Sequence, residues 1–345
     1  MIRIQNIYYM LSYAFQVLNQ EGYKEVATEE FENVAELCAA ILMKGVSSQI
    51  KRGLGREYRI RQETLSALRG KVHLSASVKE RSIIQRKLVC GYDEFSVNSY
   101  MNQIIKTTME ILLKSDIKRE RKKQIRKCLP FFADVDTLRP ETIRWNLQYH
   151  RHNETYEMLI AVCYLILKGL LQTTSDGKTK LMDFLDEERM CKLYEKFILE
   201  YYRKENPELH VSASQIPWNV DDGYREMLPL MQSDVMLEKD NRTLVIDAKY
   251  YARTMQRYYD THRIHSGNLY QIYTYVKNLD KESTGNISGM LLYAKTDEVI
   301  YPNHEYRMGG NRIAVRTLDL DCDFAEIKEQ LQTIVKDFLE DNKKP

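Results

Sequence analysis

Residues Met231–Arg253 read MQSDVMLEKDNRTLVIDAKYYAR. Two apolar runs each carry one carboxylate, Asp234 and Asp247, and Lys249 follows the second by two positions. LVIDAKYY otherwise suits a buried strand, where an unpaired carboxylate is costly. The polar break Lys239–Arg242 (KDNR) predicts a hairpin that sets the two runs side by side. Asp234 is expected in the first strand and Asp247 in the second, at one end of the pair. Strand side chains alternate with period two, so Asp247 and Lys249 share a face. Two acids and an ammonium group therefore converge. Such a set suits magnesium, a hard cation that takes a few carboxylate oxygens and keeps water. Asp234 and Asp247 are the expected metal ligands, with the Ala248 carbonyl as a further one. Magnesium there would stabilise charge on a phosphate and lower the pKa of a water. Lys249 would orient that water or neutralise the pentavalent transition state. Any D-x-K can also be a solvated pair at a strand end. The apolar LVI before Asp247 and the earlier Asp234 at hairpin distance weigh against that here.

The chain has 345 residues, room for two domains, and 43% of them are hydrophobic, enough for a real core. Net charge is only +2, so any polyanionic partner must be met by local patches. The six cysteines, Cys38, Cys90, Cys128, Cys163, Cys191 and Cys322, include no CxxC pair. Neither a cysteine zinc site nor a disulfide framework is expected, and buried thiols in a reducing compartment fit the pattern. The N-terminal MIRIQNIYYMLSYAF lacks the clean apolar core of a signal peptide. The longest apolar run, Met158–Leu167, is about half a membrane span. A soluble, cytoplasmic protein is expected.

The first part, 1–150, predicts a mainly helical α+β domain with short strands. Asn6 is placed as the cap of its first helix. Alternating Tyr58, Ile60, Val72 and Leu74, punctuated by Gly53, Gly55 and Gly70, predict strands. Tyr100, Met101, Ile104, Ile105, Met109, Leu112 and Leu113 mark one helical face, and a very basic helix follows. The second part, 151–345, predicts an α/β domain with a mixed sheet flanked by helices. Its first helices are NETYEMLIAVCYLILKGLLQ and a helix from Asp186 to about Arg203, separated by a loop at Ser175–Lys180. Three strand-like segments, a helix GNLYQIYTYVKNL, further strands and a closing helix complete it.

Asp234 followed by Asp247-Ala248-Lys249 resembles the PD-(D/E)xK nuclease superfamily, whose helix, three-stranded meander, helix, strand order also matches. The motif's leading proline is absent, and Ser233 stands in its place. A fuller set is similar to the McrC family: NIYYMLSYAF, KG followed by RGL at Lys44–Leu54, RGKV at Arg69–Val72, DAKYY and NLYQIYTY. That resemblance runs from about Asn6 to the last helix. It implies a magnesium-dependent endonuclease subunit of a 5-methylcytosine restriction complex, with manganese as a substitute metal. It also implies that 1–150 docks on and stimulates an McrB-like AAA+ GTPase ring and that 151–345 is the nuclease. The substrate would be double-stranded DNA containing modified cytosine, with two such subunits pairing to cut both strands. No Walker A motif is present, so no nucleotide is expected on this chain itself.

The superfamily resemblance adds Gln271, on the second core helix one turn before Tyr275, as a residue facing the metal site; the plain alternative is a surface glutamine. Glu195 and Glu200 lie on the helix where some superfamily members carry an extra metal-linked glutamate, and both are expected on its solvated face. Lys249–Asn268 mixes Arg253, Arg257, His262, Arg263 and His265 with tyrosines, the makings of a DNA-contacting loop or of an ordinary solvated one. Two histidines without a third ligand make a poor zinc site. Lys118–Lys127 is expected as a solvated basic face, with DNA or partner docking as the alternative. Arg52, Arg56, Arg59 and Arg61 form a second basic cluster. Beside the nuclease stand two other readings: an adaptor that plugs an AAA+ ring with an idle nuclease fold, and a stand-alone nucleic-acid binder. Replacing Asp247 with alanine separates the nuclease from the adaptor.

Overall fold

The hairpin expected across Lys239–Arg242 forms. Val235 lies opposite Ile246 and Lys239 opposite Arg242, so Asp240 and Asn241 make the turn. Asp240 takes a left-handed φ of 55°, a region that Asp tolerates better than most residues. The computed structural model describes residues 2–19, 23, 26, 29–31, 33–150, 153–176, 187–251, 255–258, 261–295 and 301–340.

The chain divides into two compact units, residues 1–34 with 179–345, and residues 35–178. This differs from a cut at 150, and the reason lies at both ends of the insert. Helix α1 (Ile4–Ala14) belongs with the C-terminal unit. Asn6 is not its cap, a position held by Arg3; the Asn6 amide instead donates to the carbonyls of Leu320 and Cys322. Tyr13 Oη donates to Glu205 at 2.6 Å, Arg3 pairs with Asp323, and the Tyr9 ring stacks on Phe324 at 4.3 Å. One early helix is thus fastened to Glu205 and to the segment Leu320–Phe324, far along the chain.

The inserted unit contains α2 (Val34–Arg52), β1 (Glu57–Leu65), β2 (Lys71–Val72), α3 (Leu74–Lys79), β3 (Leu88–Ser96), α4 (Tyr100–Lys114), α5 (Arg119–Cys128) and α6 (Glu154–Asp176). Helix α6 belongs here rather than with the second part. Tyr156 Oη donates to Asn102 Oδ1 and accepts from the Gly55 N–H, while Asn102 Nδ2 donates to the carbonyls of Gly55 and Val97. The three strands form one antiparallel sheet in the order β1-β3-β2. Alternation at Tyr58 and Ile60 does mark a strand, but these side chains point outward, 75% and 82% exposed. Periodicity defines a face without saying which side the core lies on. Leu74, expected in a strand, opens α3. Helix α5 buries Ile125 and Cys128 and leaves Arg119, Lys123, Arg126 and Lys127 in solvent, as expected.

The discontinuous unit continues with α7 (Glu187–Glu205), β4 (His210–Ser212), β5 (Gln215–Ile216), β6 (Met231–Gln232), β7 (Val235–Lys239), β8 (Arg242–Lys249), β9 (Met255–Tyr258), β10 (Thr261–Ile264), α8 (Ser266–Leu279), β11 (Ile287–Ala294), β12 (His304–Met308), β13 (Asn311–Leu318) and α9 (Phe324–Glu340). Its main sheet has the order β12-β13-β11-β8-β7-β4. β8, β11 and β13 run parallel, and β7, β4 and β12 pair antiparallel, giving the expected mixed α/β sheet. Leu244, Val245, Ile246 and Ala248 of β8 are all buried, because helices cover both faces of this central strand. On one face Met236, Val245, Leu291, Ile313 and Val315 pack against Ile272, Tyr275 and Val276 of α8. Gly289 lets α8 approach: a Cβ there would meet Ile272 and Val276 at 2.8 Å. Leu244, Met290 and Ala314, on the other face, lie with Ile334 and Phe338 of α9. Helix α7 is tied to α9 by the Tyr201 and Tyr202 hydroxyls, which donate to the carbonyls of Lys328 and Leu331. The segment read as a loop after Lys249 instead includes the hairpin β9–β10. Among the described residues no helix is long and apolar enough to cross a membrane.

Candidate active site

Asp234 is not inside a strand but in the bend between β6 and β7. Ser233 fixes that bend. Its N–H donates to the Ser214 carbonyl at 3.1 Å, its hydroxyl donates to the same oxygen at 3.2 Å, and the Ser214 N–H donates to Ser233 Oγ at 3.3 Å. A proline could not make the first of these bonds. Ser233 is 1% exposed, so Ser233→Ala removes two bonds where water cannot replace them. The expected destabilisation is about 1–3 kcal/mol, read as a lower urea midpoint at unchanged slope.

The pairing of Val235 with Ile246 places Asp234 across from Asp247, the next residue of β8. Asp234 Oδ2 accepts from the Ala248 N–H at 2.8 Å, tying the bend to the neighbouring strand. Asp247 is 1% exposed, and Lys249 Nζ donates to its Oδ1 at 2.9 Å, as their shared face requires. Asp247 Oδ2, also buried, has no hydrogen-bond partner. Asp234 lies across from Asp247 in the strand register, and two ionised carboxylates side by side have no proton to share. Two buried carboxylates so placed favour uptake of a proton or a cation.

The electrostatics agree. Burial, and then the charges of Asp247 and Glu195, raise the Asp234 pKa against the opposing pull of Lys249 and the Ala248 N–H. Burial also raises the Asp247 pKa, with Lys249 opposing and Glu195 adding to it. Burial works against the Lys249 ammonium, but the Asp247 charge and hydrogen bond outweigh it and raise its pKa. Lys249 is thus held as a cation rather than as a base. The site carries more negative than positive charge, which is the condition under which a buried carboxylate pair takes a divalent ion. The unpartnered oxygen and the oxygen-rich side chains of Asp234 and Asp247 are of the kind that magnesium takes. Among the described residues no group of three His, Cys, Asp or Glu is arranged around one point as a metal cage. Magnesium, which keeps several of its waters, does not need one.

Glu195 on α7 was expected in solvent. It is instead half-buried, its charge acts on both aspartates, and Cys191 Sγ donates to its Oε1 at 3.0 Å. Glu200 stays with Arg203 at 2.7 Å and takes no part. Gln271 lies on α8, on the covered side of the sheet, but its amide nitrogen donates to Tyr275 Oη at 2.8 Å rather than to a carboxylate. Next to Lys249 in register, Tyr293 of β11 accepts from Asn268, which in turn accepts from Tyr251. These three polar side chains border the site and carried no motif by which sequence could single them out. Arg253 lies outside the described residues, as do the side chains of Arg257 and His262. In the inserted unit, Arg56, Arg59 and Arg61 line an open groove of about 590 Å³ with Ile60 and Phe95. Arg61 is paired there with Glu63 and Glu94.

Residues 4–294 match a family model described as the McrBC 5-methylcytosine restriction system component. The chain is 28% identical over 347 residues to the type IV methyl-directed restriction enzyme EcoKMcrBC of Escherichia coli strain K12, covering 98% of each. Among solved structures it is similar to a half-complex of Thermococcus gammatolerans McrB AAA+ hexamers with bound McrC, at 17% identity and TM-score 0.45, covering 93% of this chain and 75% of that one. It is also similar to the cryo-EM structure of the T. gammatolerans McrBC complex, at 18% identity and TM-score 0.40, covering 58% of each.

Proposed function

Because this chain belongs to the McrBC 5-methylcytosine restriction system component family, we propose that its discontinuous unit is a PD-(D/E)xK endonuclease and its inserted unit the docking module for an AAA+ motor. The observation that carries the nuclease reading is the buried, unpartnered Oδ2 of Asp247, lying beside Asp234 and sharing its carboxyl group with Lys249. Magnesium bound there would supply positive charge at the scissile phosphate and lower the pKa of a water, so that hydroxide, its proton released to solvent, is available to attack. Asp234 and Asp247 hold the cation, with the Ala248 carbonyl as a further donor and manganese as a substitute ion. Glu195 adds a third negative charge to the same centre. Lys249 keeps its proton and neutralises charge on the phosphate as the transition state forms. Gln271 contributes by bracing Tyr275 on the helix that covers this face of the sheet.

The substrate in this reading is double-stranded DNA carrying 5-methylcytosine, delivered by a GTP-hydrolysing AAA+ ring. Two such chains pair to break both strands. The exposed Tyr58, Ile60 and Phe95, flanked by Arg56 and Arg59, give the inserted unit an apolar and basic face suited to a partner. Co-expression with the adjacent AAA+ subunit, followed by incubation with methylated and unmethylated duplex, magnesium and either GTP or ATP, tests the whole reading. Cleavage is expected only with methylated DNA, magnesium, partner and nucleotide together. Partner stimulation without any cleavage would support an adaptor with an idle nuclease fold instead.

A further inference from the structure

Helix α7 carries Cys191 and Glu195 one turn apart, on the side that meets the end of β8. The Cys191 thiol donates to Glu195 Oε1 at 3.0 Å. Its sulfur accepts from the N–H of Tyr250, the residue that follows Lys249. The thiol therefore bridges two things: the backbone just past the Asp247–Lys249 pair, and the carboxylate whose charge acts on both aspartates. Among the described residues Cys191 is the hydrogen-bond partner that Glu195 has. Without it, a glutamate side chain on a helix surface has rotamers that lead to solvent, and fixing it in one of them needs a directional contact.

We infer that Cys191 is a positioning residue, which holds Glu195 against the aspartate pair and so strengthens the centre's grip on a divalent cation. The inference rests on the acidic centre proposed above, and its consequence is specific. Cys191 acts only through Glu195, so its contribution disappears once Glu195 can no longer serve. A cysteine that merely fills space beside α7 behaves otherwise, because its loss adds to that of any neighbour.

Manganese titration of the full chain by calorimetry tests this, with thermal unfolding of each metal-free variant as a check on folding. Cys191→Ala is expected to weaken manganese binding about 5-fold, the worth of one modest hydrogen bond. Cys191→Ser keeps a donor and is expected to recover binding to within about 2-fold of wild type. Glu195→Gln is expected to weaken binding about 10-fold or more, the loss of a charge-assisted contact. The double variant Cys191→Ala/Glu195→Gln is expected to bind like Glu195→Gln alone. If alanine does not fold, Cys191→Val, which removes the donor and keeps bulk, replaces it in the cycle. Effects that multiply in the double variant, or Cys191→Ala binding manganese like wild type, overturn the inference. Wild-type chain that binds manganese but does not cut DNA with its partner sinks the nuclease reading alone. Wild-type chain that binds no manganese sinks both.

Discussion

Asp247→Asn is expected to slow DNA cleavage by the partner-assembled chain by on the order of 10³-fold, about 4 kcal/mol of lost transition-state stabilisation. The substitution keeps the shape of the side chain and an acceptor for Lys249, so packing beneath α8 is preserved. It removes the charge that, with Asp234, demands a cation. Stimulation of the partner's nucleotide hydrolysis is expected to be unchanged, since the inserted unit is untouched. The metal-free variant is expected to unfold at a higher temperature than wild type at pH 8, because it no longer holds two repelling carboxylates in a buried site. Single-turnover cleavage and a melting curve check the two halves. Cleavage at the wild-type rate would remove Asp247 from the chemistry, and a lower melting temperature would mean that the Lys249–Asp247 ion pair outweighs the repulsion.

The second large effect is a proton linked to metal binding. Burial raises both aspartate pKa values, the Asp247 charge adds to the rise at Asp234 and the Glu195 charge adds to both, so the metal-free folded chain holds a proton that the unfolded chain releases. For an acid with a raised folded-state pKa, the associated stability is complete below the unfolded pKa of about 4 and is lost as pH rises through the folded value. The metal-free chain should therefore weaken as pH climbs out of the ordinary carboxylate range. Magnesium binding must expel the proton, so its apparent affinity should rise with pH, by up to about 10-fold per unit while one proton is displaced. Calorimetric titration in buffers of different ionisation enthalpy measures the release directly. Asp247→Asn should abolish it, and a wild-type titration with no buffer dependence would mean that the pair is already fully ionised.

Much of this centre was legible in LVIDAK. A run of apolar residues interrupted by an acid implies burial, and period two sets Lys249 beside Asp247 without further information. The polar KDNR break gave the hairpin, and with it the proximity of Asp234. Other features depend on where elements meet. Asp234 precedes its strand because Ser233 is tied to Ser214, a contact from a segment nearly twenty positions earlier. Glu195 looked solvated because helical phase alone places it beside the apolar stripe of Met190, Leu193, Tyr194, Phe197 and Ile198. Whether that flank meets water or the end of β8 is decided by how α7 lies on the sheet. Charge and tyrosine content hid the β9–β10 hairpin, since its pattern lacks the apolar alternation of a half-buried strand. Tyr58 and Ile60 show the converse, a periodic strand whose apolar side has no core to face within its own unit.

The division of the chain also bears on synthesis and on fragment design. As the protein emerges from the ribosome, α1 is made first, yet its partners, Glu205, Leu320, Cys322 and Phe324, are made much later. The inserted unit can complete its own contacts in the meantime, while α1 waits for α7 and the start of α9. A truncation beginning at residue 151 would leave Tyr201, Phe197 and Phe324 without the Tyr9 and Tyr13 rings that shield them, and would carry an α6 stripped of Asn102 and Gly55. Excising residues 35–178 and splicing the flanks with a flexible link respects the boundaries of both units.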